Sequence, residues 1–113
     1  MADPWQSQPW FHRTKPITPN MRLYLQTQMD DLSTILFMRL GKFYECFGPH
    51  VETVEHVLEL QPAEKMSRMF GMPNNGIPYV RFESALAKLQ ENGHRVRVIE
   101  PLERPPPRKR SRL

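Results

Sequence analysis

Apolar residues recur at three- and four-residue intervals over Met21, Tyr24, Leu25 and Met29, which places them on one face of a helix. Thr18-Pro19 supplies the start. The threonine side chain can accept from a free backbone N–H, and proline at the first helical position gives up a hydrogen bond that this position does not make. The spacing therefore predicts a helix to about Met29. From Thr34 to Leu40 the chain reads Thr-Ile-Leu-Phe-Met-Arg-Leu, too short for a good helix and almost continuously apolar, as in a strand buried on both faces. Gly41 breaks the run, and Phe43 to Phe47 resumes as a second extended segment. Gly48-Pro49 restarts a helix whose stripe is Val51, Val54, Val57 and Leu58, with Glu52, Glu55 and Glu59 on another face. After Pro62 the pattern is ambiguous, with Lys65 to Met72 a candidate short strand, and Pro73 to Pro78 is a turn by composition. Phe82, Ala85, Leu86 and Leu89 mark a third helix ending near Gly93. Arg95 to Glu100 alternates as a strand does, and Pro101 closes it. The order α-β-β-α-(β)-α-β predicts an α/β or α+β fold, a small mixed sheet packed by about three helices.

The ends differ from this body. Residues 1–17 carry Pro4, Pro9 and Pro16 among Trp5, Trp10 and Phe11 without periodicity, an extended aromatic and proline-rich arm. Its tryptophans either fold back onto the domain or dock on a partner. Residues 104–113 form a basic tail in which Pro105 to Pro107 favour a stiff extended spacer. Five of the 16 basic residues lie in that tail with no acid, leaving 11 against 12 acids in residues 1–103. The formal charge of +4 thus belongs to the tail, and phosphate affinity from bulk charge resides at Arg108, Lys109, Arg110 and Arg112. The same cluster is equally a nuclear import signal or an RNA-binding extension. The organisation is arm 1–17, domain 18–103, tail 104–113. No apolar run approaches the roughly 18 residues that cross a bilayer, and Met1 to Lys15 lacks the apolar core of a signal peptide.

Catalytic patterns are missing from the sequence. It has no G-x-x-x-x-G-K-[ST] phosphate loop and no G-x-G-x-x-G. His12, His50, His56 and His94 are scattered, without a ligand partner at metal spacing. Cys46 is the one cysteine, so no internal disulfide is expected, and its place within a strand suits packing better than nucleophilic chemistry. No catalytic residue, metal or cofactor is expected.

The informative stretch is Gly41-Lys42-Phe43-Tyr44-Glu45-Cys46-Phe47. In an extended chain residues i and i+2 lie on one face, roughly 6.6–6.8 Å apart, so Phe43 and Glu45 can address one object together while Tyr44 and Cys46 point into the domain. The residues alone also fit a plainer arrangement, with Phe43, Tyr44 and Phe47 all in a core and Glu45 solvated.

With Thr18-Pro19, Met21, Tyr24-Leu25 and Leu36-Phe37 upstream, this stretch resembles the N-terminal mismatch-recognition domain (domain I) of the MutS family of DNA mismatch-repair proteins. The family pattern is T-P-x-M-x-x-Y-L, an apolar strand, then G-[DK]-F-Y-E-x-[FY]. Gly76-Ile77-Pro78-Tyr79 resembles its G-[IV]-P-x-[HY] turn. Glu83-Ser84, Leu86, Lys88-Leu89, Gly93 and Arg95-Val96 resemble its closing block. The resemblance spans about residues 15–103 and implies a MutS domain I-like fold. It further implies that Phe43 is a wedge stacking on a mispaired or unpaired base, that Glu45 hydrogen-bonds that base, and that Lys42 adds a phosphate contact. The connector, lever, clamp and ATPase domains of the full family architecture are not in these 113 residues, so ATP hydrolysis is not expected of them.

Two function classes follow. One is a nucleic-acid-binding module that senses defects in duplex DNA, with a nuclear location and a larger protein partner. The other is a repurposed domain that binds structured RNA or protein inside a ribonucleoprotein such as a mitochondrial ribosome, with a mitochondrial location.

Overall fold

The computed structural model describes residues 3–13, 16–62 and 71–102. Its elements are α1 (Pro19–Asp30), β1 (Thr34–Leu40), β2 (Phe43–Phe47), α2 (Val51–Leu58), β3 (Asn74–Pro78), α3 (Tyr79–Glu91) and β4 (Arg95–Ile99). The strands form one mixed sheet in the order β3-β2-β1-β4. β1 pairs antiparallel with β2, β2 antiparallel with β3, and β4 parallel with β1. The α+β expectation holds.

Local chemistry sets the boundaries. The Thr18 hydroxyl oxygen accepts from the Met21 N–H at 3.1 Å, capping α1. At the far end the Asp31 carboxylate accepts from the Ser33 N–H and from the Ser33 and Thr34 hydroxyls, turning the chain into β1. Those donors, Ser33 first, lower the Asp31 pKa to about 2. The β1–β2 hairpin turns at Gly41-Lys42, where Gly41 takes φ 63°, a conformation glycine adopts without a Cβ clash.

The continuous apolar run of β1 has its reason in the layers. Ile35 and Phe37 face α2 and α3, in a core with Cys46, Val51, Val54, Ile77, Phe82 and Leu89. Leu36 and Met38 face α1, in a second core with Trp5, Tyr24, Leu25, Phe47 and Met72. Both faces of the central strand are covered. Tyr24 ties the second core to the sheet: its buried hydroxyl donates to the Leu36 carbonyl at 2.6 Å and accepts the Phe47 N–H at 2.9 Å. A buried polar tip is tolerated because it is bonded on both sides.

Within the domain two expectations change, and a third lies mostly outside the described residues. Asn74 to Pro78, a turn by composition, is strand β3. Pairing with β2 outweighs the local turn preference, and proline is tolerated because β3 is an edge strand and Pro78 is its last residue. In the strand expected at Lys65 to Met72, residues 65–70 lie outside the described residues, and Gly71 and Met72 form a turn. The second helix is entered through a short 3-10 turn, Gly48–His50, instead of starting at Gly48.

Within the arm, Pro4–Ser7 is a 3-10 turn rather than extended chain. Trp5 is 1% exposed in the α1-side core, with the Arg22 guanidinium 5.4 Å above its ring. Arg22 also pairs with Asp3 at 3.2 Å. Trp10 and Phe11 pack against the same core, and the His12 N–H donates to the Gly71 carbonyl at 2.7 Å. The arm crosses the α1 face and reaches the chain that leads into β3.

Candidate nucleic-acid interface

The alternation of β2 decides what each residue of the motif touches. Tyr44 and Cys46 turn toward α2 and α3: the Tyr44 ring stacks on Phe82 with centroids 3.9 Å apart, and Cys46 is fully buried. Burial pushes the Cys46 thiol up to about 12, so it is a packing group rather than a nucleophile. Phe43, Glu45 and Phe47 share the other face. Phe47 is 1% exposed and meets Tyr24 edge-on, whereas Phe43 at the hairpin end is 44% exposed. The three aromatic residues that could all have been core are thus divided.

Glu45 lies between them, opposite Met38 on β1 and Gly76 on β3. Its carboxylate folds across Gly76 so closely that a Cβ there would stand 2.6 Å from a carboxylate oxygen. Gly76 is what gives the acid its place. One carboxylate oxygen, Oε1, is buried with no hydrogen-bond partner among the described residues. Burial raises the Glu45 pKa above its ordinary value.

That shift has a definite sign. The folded pKa lies above the unfolded one near 4.5, so below about 4.5 burial carries no charge penalty, and stability declines as pH rises through the folded pKa. Asp31 has the opposite slope, confined to acid below its ordinary 3.8. Glu45→Gln should therefore be more stable than wild type at pH 7 and converge with it near pH 4, measured by urea midpoints at both pH values. A wild-type advantage at pH 7 would mean that the carboxylate is stabilised in the fold.

Lys42 is exposed at the turn, beside Phe43. The structure thus brings Lys42, Phe43 and Glu45 to one end of β2, while Arg108, Lys109, Arg110 and Arg112 lie outside the described residues. Three neighbours were not singled out from the sequence. Tyr79 and Val80 open α3 and are 48% and 71% exposed, and the Tyr79 N–H donates to the Lys42 carbonyl at 2.8 Å. Arg39, on β1, carries its guanidinium 5.6 Å from the Tyr44 centroid and 5.3 Å from that of Tyr79. The signal for Tyr79 was the Gly76-Ile77-Pro78-Tyr79 block itself. Its place beside the hairpin becomes visible only with the Phe43↔Pro78 register. Phe43, Lys42 and Glu45 thus offer an exposed aromatic ring, a cation and a half-buried acid, the residue types that stack on bases and contact phosphates, while Arg39 and Tyr79 are grouped against Tyr44 on the other side of the sheet.

Comparison with known proteins adds an independent line. The family model described as MutS domain I matches residues 18–112. Among curated proteins, the DNA mismatch repair protein MutS of Methanosarcina mazei is 35% identical over 94 residues, covering 81% of this chain and 10% of its own length. That of Thermotoga petrophila is 36% identical over 89 residues, 79% of this chain and 11% of its own. That of Staphylococcus aureus is 32% identical over 90 residues, with 79% and 10% covered. The chain spans about a tenth of the length of these relatives.

Proposed function

Since the chain belongs to the MutS domain I family, we propose that it is a mismatch-recognition module, binding mispaired or distorted duplex DNA through Phe43 and Glu45 and catalysing nothing itself. The observation that carries this reading is the pairing of a large exposed aromatic ring with a half-buried acid two residues away on the same strand face. Inserting an aromatic wedge between bases costs a few kcal/mol of unstacking per step, and less where the pair is already broken. Phe43 therefore selects deformable sites irrespective of base identity. Glu45 sharpens the choice. A carboxylate among phosphates is repelled unless it meets a base donor or takes up a proton, and its raised pKa favours proton uptake. Lys42 contributes a phosphate contact from the turn.

Equilibrium binding to a paired duplex and to one with a single mispair tests this reading. Glu45→Gln should bind the paired duplex several-fold more tightly than wild type and the mispaired one about equally, narrowing discrimination. Identical affinities for both proteins on both duplexes would show that Glu45 does not reach the bases.

The tail supplies affinity without selectivity. Deleting residues 104–113 should weaken binding to all duplexes alike and flatten the salt dependence by up to about four to five counterions, with the mispair preference retained. An unchanged salt slope with altered cellular distribution would make the tail an import signal instead.

A further inference from the structure

Phe43 can act as a wedge only if its backbone is held, because a ring that is free to turn away loses selectivity to disorder. The backbone on either side of it is held, by the Arg39 side chain, by the Tyr79 main chain and by the packing of Tyr44. The Arg39 Nε donates to the Gly41 carbonyl at 3.4 Å, at the long end of the hydrogen-bond range. Its guanidinium lies against both the Tyr44 and the Tyr79 rings. Tyr44 is fixed from beneath by Phe82, which itself meets Phe37 edge-on in the core. Immediately before Phe43, the Tyr79 N–H donates to the Lys42 carbonyl at 2.8 Å. A column of rings thus rises from the core through Phe37, Phe82 and Tyr44 to Arg39, and Tyr79 closes it at the surface. Gly41, Lys42 and Tyr44 are each tied to it, which leaves Phe43 little freedom except in its own side chain.

We propose that Arg39, clasped with Tyr79, is a positioning residue that sets the wedge orientation of Phe43 and thereby the selectivity of the site for mispaired DNA. This rests on the wedge reading of Phe43. The clasp depends on planarity: a guanidinium lies flat on aromatic faces while its edge N–H groups bond a carbonyl, and an ammonium of the same charge cannot do both. Charge and shape can therefore be separated by experiment.

The test uses the full chain with Arg39→Lys, Tyr79→Leu and, as a reference, Phe43→Ala. Each is measured for affinity to paired and singly mispaired duplexes, for thermal midpoint, and for the fluorescence of 2-aminopurine placed beside the mispair, which brightens when the base is unstacked. Arg39→Lys keeps the charge, and Tyr79→Leu keeps the backbone N–H and replaces a ring that is 48% exposed. Both are expected to retain paired-duplex affinity and the thermal midpoint, to lose mispair preference by about threefold to tenfold, and to give a dimmer 2-aminopurine signal. Should Arg39→Lys prove unstable, Tyr79→Leu carries the comparison. Wild-type preference and fluorescence in both variants, while Phe43→Ala loses both, would overturn the positioning role alone. Wild-type behaviour of Phe43→Ala would instead overturn the wedge reading beneath it. A uniform loss of affinity for both duplexes would make Arg39 a phosphate contact and also overturn the proposal.

Discussion

Phe43→Ala is expected to bind paired and mispaired duplexes with nearly equal affinity while unfolding close to the wild-type temperature. Stacking of an aromatic side chain on a base is worth about 1–3 kcal/mol, which at 1.4 kcal/mol per tenfold is roughly a five- to hundredfold loss at the mispair. Because the wedge engages little at an intact pair, affinity for paired duplex should change least. The folding cost should stay well below the about 3–5 kcal/mol typical of truncating a buried phenylalanine, since the ring is 44% exposed. Titration of fluorescent duplexes alongside thermal unfolding separates the two effects. If the variant unfolds, Phe43 is a core residue. If it folds and still discriminates, selectivity lies elsewhere on the surface.

The largest stability effect is expected far from this edge. Trp5→Ala should cost about 3–5 kcal/mol, which for a chain of this size lowers the thermal midpoint by roughly 10 °C or more. Trp5 precedes the span matched by the family model, which begins at residue 18, yet it is as buried as the centre of β1. Removing it opens a cavity against α1 and strips Arg22 of the ring beneath its guanidinium. The Asp3 to Arg22 ion pair nearby is a weak contributor, because both side chains are partly solvated. Asp3→Ala should accordingly shift the midpoint little. A Trp5→Ala midpoint within about 2 °C of wild type would show that the arm is dispensable to the fold.

Much of the architecture follows from short-range pattern alone. The Met21, Tyr24, Leu25, Met29 spacing and the Thr18-Pro19 start define α1, and the unbroken apolar run of β1 already implies cover on both faces. The i, i+2 rule correctly turns Tyr44 and Cys46 inward. These features are set by residues within a few positions of one another, where helix and strand periods are expressed directly. Other features depend on residues distant in sequence. β3 exists because β2 offers it an edge, so Pro73 to Pro78, a turn by every local criterion, holds a paired strand. Alternation places Phe43, Glu45 and Phe47 on one face, but only the packing of α1 and Trp5 buries Phe47 and leaves Phe43 in solvent. The clasp of Arg39 and Tyr79, 40 residues apart in the chain, arises from the Phe43↔Pro78 register. Periodicity specifies which side chains share a face, whereas what covers that face is set by long-range pairing, which no local window of sequence contains.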